Sequence, residues 1–367
     1  MRLATDTLVS RLSRKRNKCK PCPHCQSTLT VKHGKREIKR TTVQVYKCNT
    51  CNRFFSDRKV KGRSYDAKTI MRAVTYYNLG YTMEQTKREM AKRFHRKIPL
   101  STLRSWIKGY AKVCRFARLR KEAVKLFGRD NMVFSHSLQH NQVYNYQMHN
   151  AKLALVANEL PQRKFSLLAS YLRKIPTQNF PHYLFQHAAS DDREDGNITK
   201  KRAIRASQVE FDSLDFMRLS KRNFANALAS LALHLAKTNR QRHEAIQSFM
   251  TANDSVTVAC EVPVYLTGDD IRYYLSKGFT LDLENCKTPV TGHIDILQIR
   301  NGLIHILDYK PGAERIDATS QLTIYALALA SRTGLAVKDL KCAWFDDKNY
   351  YEFFSLHAVY RKRKRKD

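Results

Sequence analysis

The sequence predicts an α/β protein whose C-terminal part is a mixed sheet flanked by helices, preceded by a small ribbon and a helical segment. Three observations carry this. Residues 292–312, GHIDILQIRNGLIHILDYKPG, read as a β-hairpin, followed by a helical run at 318–332 and strand-like stretches around 340–346 and 350–354. Four cysteines near the start pair as Cys22-x2-Cys25 and Cys48-x2-Cys51. After residue 65, apolar residues recur at helical spacing.

The hairpin is the most informative element. Asn301-Gly302 is a strong two-residue signal for a type I′ turn. Such a turn makes Arg300 face Leu303 and sets the register outward: Ile299 with Ile304, Leu297 with Ile306, Asp295 with Asp308, and His293 with Lys310. Side chains alternate along a strand, so these pairs share one face. Opposed Cβ atoms lie roughly 5 Å apart, and opposed like charges destabilise a sheet. A divalent cation between Asp295 and Asp308 would remove that repulsion. Lys310 would stand beside it, where a phosphate could bridge the two. A surface hairpin with two unrelated aspartates would not need the apolar inner face or the helix that follows. Upstream, a helix is expected over 221–250 and a strand over 258–266.

GHIDIL, then ILDYKPG, then QLTIYALALA at 321–330 resembles the RecB-like branch of the PD-(D/E)XK nucleases, which includes CRISPR-associated exonucleases. That branch carries G-x-x-D, D-x-K and Q-x-x-x-Y motifs in this order, and the resemblance covers roughly residues 223–356. It implies a restriction-endonuclease-like fold and a magnesium or manganese site. Asp295 and Asp308 would bind the metal, and Lys310 would position the attacking water or stabilise the phosphate. Gln321 and Tyr325 would lie one turn apart on the helix behind the sheet. The family also has a histidine ligand on an upstream helix. His243, in NRQRHEAIQSFM, matches best because it precedes the strand CEVPVYL at 260–266, and His234 is the competitor. Glu261 begins that strand, either as a further catalytic carboxylate or as a solvated strand end.

Charge points the same way. The formal net charge is +35 and the sequence pI about 10.0. Residues 1–129 hold 35 Lys+Arg against 7 Asp+Glu, a net of +28, and Arg361–Lys366 add six positives at the other end. A field of this size attracts polyanions, nucleic acid first. The length suggests two or three domains, and 43% hydrophobic content suffices for a packed core. With no apolar run of about 18 residues and no signal peptide, the expectation is an intracellular, nucleic-acid-associated protein. Its place would be cytoplasm or nucleoid, or the nucleus in a eukaryote, with no membrane partner.

Cys22, Cys25, Cys48 and Cys51 form two knuckles 22 residues apart, with strand-like STLTVKHG and TTVQVYK between them. That is a zinc-ribbon layout suited to tetrahedral zinc. Cys19 could compete within the first knuckle, and His24 and His33 are poorer candidates. Disulfides do not suit an unsecreted chain. Cys114, Cys260, Cys286 and Cys342 read as core residues.

YDAKTIMRAVTYYNLG at 65–80 and MEQTKREMAKRF read as two helices, the first closing at Gly80. Ser101-Thr102 offers an N-cap for a third, with Leu103, Trp106 and Ile107 as its buried stripe. Arg104, Ser105 and Lys108 lie off that stripe, where a recognition helix would meet the major groove. A basic helical spacer is the bland alternative. Ribbon followed by helix-turn-helix resembles the N-terminal part of insertion-sequence transposases, on CPHC, VKHGK and YKCNTCNRFF. Their DDE domain is not matched by the carboxylate pattern here, so transposase chemistry is not implied.

Residues 130–215 are expected to be a helical connector. KLALVANEL and FSLLASYLRKI read as helices. SHSLQHNQVYNYQMHN reads as a polar, partly buried helix with His136 and His140 four apart, and 189–206 as a loop. The domain expectation is then arm and ribbon to 62, helix-turn-helix over 63–129, connector over 130–215, nuclease domain over 216–357, and a basic tail. The function expected is a DNA-binding, divalent-metal-dependent deoxyribonuclease acting on duplex DNA, linked to a mobile element. It would hold magnesium or manganese at the nuclease site and structural zinc in the ribbon, with a homodimer left open. The alternatives are a sequence-specific DNA-binding regulator with an inactive nuclease fold, and a transposase-like recombinase.

Overall fold

The computed structural model describes residues 20, 22, 27–38, 41–56, 65–159, 162–186, 203–211, 219–221, 223–236, 238, 241–283 and 288–360. The chain divides into two compact units, Met1–Thr69 and Ile70–Asp367. In the first, β1 (Thr30–Ile38), β2 (Thr41–Cys48) and β3 (Phe54–Ser56) form an antiparallel sheet in that order. Thr30 pairs with Cys48, and Tyr46 with Phe55. Thr30, Tyr46, Cys22 and Cys48 are buried, whereas Val31 and Phe54 are exposed, the alternation that strand geometry requires. Cys19, His24 and Cys25 lie outside the described residues, as do Cys286 and the run 361–366.

After the ribbon come α1 (Ala67–Asn78), α2 (Met83–Phe94), α3 (Leu100–Tyr110), α4 (Arg120–Leu126) and α5 (Arg129–Met132). Ile70, Met71 and Val74 are buried on α1, and Thr82 with Gln85 makes a capping box on α2. The start of α3 differs from expectation. Pro99 takes the N-cap place without a side-chain bond, so Ser101 and Thr102 sit inside the first turn. Proline has its φ fixed, and here it brings an extended chain to the helix two residues before Ser101. The helices are fastened to the second unit's core by buried amides. Asn78 Nδ2 donates to Asn253 Oδ1 at 2.8 Å, and Asn253 Nδ2 donates to Thr75 Oγ1 at 2.9 Å.

The polar stretch expected as a helix is instead a hairpin, β4 (Val133–His140) and β5 (Gln142–His149), turning at Asn141 with φ 53°. Burial alternates along it: Leu138 and His140 on one strand, Tyr146 and Met148 on the other. His136 and His140 therefore do not share a helix face. The hairpin forms because Gln147 and Met148 find partners in Cys260 and Ala259 of a core strand, a long-range pairing that overrides local propensity.

Then follow α6 (Asn150–Glu159), α7 (Arg163–Lys174), β6 (Ile204–Arg205), β7 (Leu219–Ser220), α8 (Phe224–Ala232), α9 (Arg242–Asn253) and β8 (Thr257–Leu266). The remainder is α10 (Gly268–Ser276), β9 (Val290–Arg300), β10 (Leu303–Tyr309), α11 (Thr319–Thr333), β11 (Leu340–Phe345), β12 (Tyr350–Phe354) and α12 (Ser355–Val359). The single helix expected over 221–250 is two, the first ending at Ala232 and the second beginning at Arg242. Among the described residues the strands form one mixed sheet, ordered β4-β5-β8-β9-β10-β11-β12-β7, with β6 parallel to β9. The β10–β11 pair is parallel, so its connection must cross over, and α11 makes that crossing. Leu322, Ile324, Tyr325, Leu327 and Leu329 of α11 are all buried, so core surrounds the helix. Such side chains contribute roughly 1.5–3 kcal/mol each by burial.

Lys152 on α6 is 1% exposed. Its Nζ donates to Thr251 O at 2.5 Å and Thr257 O at 2.9 Å, closing the end of α9 onto β8. Burial pushes its amine down to about 7. Between about 7 and the ordinary lysine value the unfolded chain holds a proton that the fold does not. Stability should therefore rise with pH across that window. Lys152→Met should flatten this part of the stability–pH curve in thermal melts. An unchanged slope would remove the buried amine as its cause.

Candidate active site

The β9–β10 turn has φ 52° at Asn301 and 74° at Gly302, the two positive angles of a type I′ turn. The ladder runs from Arg300–Leu303 through Leu297–Ile306 to Ile296–Leu307. Asp295 and Asp308 come one step beyond its last pair. There the strands open: Asp295 Oδ2 accepts the Tyr309 N–H at 3.1 Å, and the Lys310 N–H turns to Phe345 O at 2.9 Å. His293 consequently does not meet Lys310. It pairs with Pro263 of β8.

Asp308 is 3% exposed. Burial and then the Asp295 charge hold its carboxyl well above the usual range. Burial also works on Asp295, but hydrogen bonds from His243 and Asp308 outweigh it and leave that carboxyl lowered. Lys310 Nζ lies 2.9 Å from Asp308 Oδ2 and donates to Gln321 Oε1 at 3.2 Å, while Gln321 Nε2 donates to the Tyr325 hydroxyl at 2.8 Å. Burial opposes the lysine's charge, yet Asp308 beside it raises the amine overall. The Q-x-x-x-Y residues thus hold the D-x-K lysine in place.

His243 stands in the first turn of α9, with Nδ1 3.4 Å from Asp295 Oδ2. His234 is in the turn after α8. Glu261 falls between Cys260 and Val262, whose partners are Ile296 and Ile294, so its place in the ladder is beside Asp295. Its φ of 52° is left-handed, which costs a non-glycine residue on the order of 1–3 kcal/mol and concentrates at functional sites. Gln247 Nε2 donates to its carboxylate at 2.7 Å. Burial and the Asp295 charge push Glu261 up to about 8. Carboxylate and imidazole are donor types that magnesium or manganese could take, and His243 and Asp295 stand 3.4 Å apart. Asp308 Oδ2 supports the fit, because it is buried without a hydrogen bond and has only the ion pair with Lys310.

Gly292 explains the glycine of G-x-x-D. A Cβ there would fall on Tyr325 Cε1, so only glycine lets the ring close over the strand. Gln247, Tyr144 and Arg205 also stand at or near the site, and sequence reasoning did not select them; His140, noted there only for its spacing from His136, lines the same cavity. For Tyr144 the signal was present in the alternating Tyr144, Tyr146, Met148 of β5.

In the N-terminal unit, the sulfurs of Cys22, Cys48 and Cys51 lie within 4.8 Å of one another. The Cys22–Cys51 spacing is 3.7 Å. Tetrahedral zinc, with bonds of about 2.3 Å, separates its sulfurs by roughly 3.8 Å, whereas a disulfide needs about 2.05 Å. The three cysteines could therefore hold a metal. On α3, Arg104, Ser105 and Lys108 are exposed while Leu103 and Trp106 are buried.

Residues 179–351 match the PD-(D/E)XK nuclease superfamily. That span contains His243, Glu261, Asp295, Asp308, Lys310, Gln321 and Tyr325. No curated protein and no solved structure matches the chain. Among the described residues, no helix is long and apolar enough to cross a membrane.

Proposed function

On the premise that residues 179–351 form a PD-(D/E)XK nuclease superfamily domain, we propose that the protein is a DNA-binding, divalent-metal-dependent deoxyribonuclease. The observation that carries this is the buried Asp295–Asp308 pair with Lys310 held beside it by Gln321. Asp295, Asp308 and His243 would hold magnesium or manganese, with Glu261 adjoining. The bound ion would supply an activated water and neutralise charge on the phosphate. Lys310 offers an ammonium whose position is set from two sides, fit to orient a phosphate oxygen or the attacking water. Tyr325, pressed onto Gly292, keeps Gln321 and so Lys310 in register.

Cleavage of supercoiled plasmid, linear duplex and single strands is the test, each with magnesium, manganese or EDTA. Cutting with either metal and none with EDTA is expected. No cutting of any substrate would sink the reading, and joined products in place of hydrolysed ends would favour a recombinase. Gly292→Ala should displace Tyr325 and through it the lysine. A misplacement of about 1 Å costs on the order of a hundredfold in rate. Single-turnover kinetics should show that loss with DNA affinity unchanged.

Residues 1–129 carry most of the positive charge and are proposed to capture the DNA, zinc holding the ribbon and α3 presenting Arg104, Ser105 and Lys108. The link to a mobile element rests on the resemblance of this part to insertion-sequence transposases. Each phosphate contact contributes a slope of roughly −0.9 in log K against log salt. The double variant Arg104→Ala with Lys108→Ala should therefore flatten that slope by nearly 2 if both touch phosphate. An unaltered slope in binding titrations would take α3 out of the interface.

A further inference from the structure

Beside the carboxylates lies a cavity of about 190 Å³. Tyr144, Phe185, Arg205 and His293 wall it, and Glu261 and Asp295 border it as well. The Tyr144 and His293 rings lie flat against each other, centroids 3.6 Å apart and planes 9° from parallel. His293 also belongs to a chain of three histidines. Its Nε2 is 2.9 Å from His140 Nδ1, and His140 Nε2 is 2.8 Å from His182 Nδ1. His182 Nε2 ends the chain on Thr177 O at 3.2 Å.

That carbonyl can only accept, which for three neutral rings sets the order of protons along the chain. His182 must donate from Nε2 and accept at Nδ1. His140 then donates from Nε2 and accepts at Nδ1, and His293 donates from Nε2. His293 Nδ1 is left as a bare acceptor, with no hydrogen-bond partner among the described residues. His140 spends both nitrogens on its neighbours, so the three rings form a chain and not a metal cage.

We propose that this cavity receives one unstacked nucleobase of the bound strand. The base extends the Tyr144–His293 stack, and Arg205 meets an adjoining phosphate. A flat aromatic platform and a cation are the groups by which proteins hold an unpaired nucleotide. The inference rests on the nuclease reading, since the nearness of Asp295 and Glu261 makes a polynucleotide the ligand. A paired base inside a duplex cannot enter without being flipped out, so the preferred substrate is a single strand or a frayed end.

The test uses the full chain in EDTA and single strands carrying 2-aminopurine at each position in turn. Quenching confined to one position is expected. An abasic nucleotide at that position should weaken binding by about tenfold, the scale of one stacked base. Ser207 is exposed and lines the cavity, so Ser207→Trp should fill it, abolish the quenching and remove the abasic penalty. Tyr144→Ala should also lose the quenching, with thermal melts checking that both variants fold. Uniform quenching along the strand, or quenching that survives Ser207→Trp in a folded protein, would overturn the proposal. Wild-type cleavage with magnesium or manganese is scored separately. Quenching without cleavage would remove the nuclease reading and leave the base site, and cleavage without local quenching would do the reverse.

Discussion

Asp308→Ala should lower metal-dependent DNA cleavage at least a thousandfold, equivalent to about 4 kcal/mol of transition-state stabilisation, while DNA binding stays nearly unchanged. The site and the basic N-terminal third are separate stretches of chain, so losing one carboxylate leaves the phosphate-binding charge intact. Manganese affinity, read by calorimetry, should fall with the rate. Comparable cleavage by variant and wild type would refute the assignment of Asp308. The isosteric Asp308→Asn adds a readout that no generic loss of structure would produce. In the metal-free protein this carboxyl is raised far above its unfolded value. The fold then binds a proton that the unfolded chain has released, and stability declines as pH climbs above the ordinary carboxylate range. Asparagine removes that penalty. The variant should melt at or above the wild-type temperature in EDTA, with its advantage growing at higher pH, although it does not cut.

Cys48→Ser should unfold the ribbon, release its zinc and weaken DNA binding severalfold or more. Cys48 is fully buried and its sulfur closes the group with Cys22 and Cys51. A sheet of three short strands buries too little apolar surface to stand alone. Structural zinc contributes on the order of 10 kcal/mol to folding at neutral pH, so a metal held by these cysteines would decide whether this unit folds. Elemental analysis of the wild-type protein should find one zinc per chain, and a chelator should reproduce the variant's phenotype. Protein purified without zinc yet fully folded in the ribbon would refute the metal site.

The elements legible in the sequence are those whose instructions are local. Asn301-Gly302 permits the two left-handed angles of a type I′ turn, and the pairs from Arg300–Leu303 to Ile296–Leu307 follow by counting outward. The same counting brought Asp295 and Asp308 to adjacent places at the open end. Helical periodicity located α1, α2 and α11, and the cysteine spacing brought Cys48 and Cys51 to one side of Cys22. Counting failed where the ladder stopped. His293 leaves Lys310 because Asp295 takes the Tyr309 amide and the lysine strand runs on with β11.

Only the tertiary structure decided the rest. β4 and β5 are strands because β8 offers them an edge more than a hundred residues away, while their polar composition carries no strong local preference. Gly292 is required by the ring of Tyr325, a residue 33 positions on, and the strained backbone of Glu261 is held by the strands around it. The chain of His182, His140 and His293 joins three separate elements and ends on one carbonyl, at Thr177. Periodicity and turn chemistry act over a few residues and can be read from sequence, whereas burial, edge pairing and ring contact are properties of surfaces that meet only when the chain has folded.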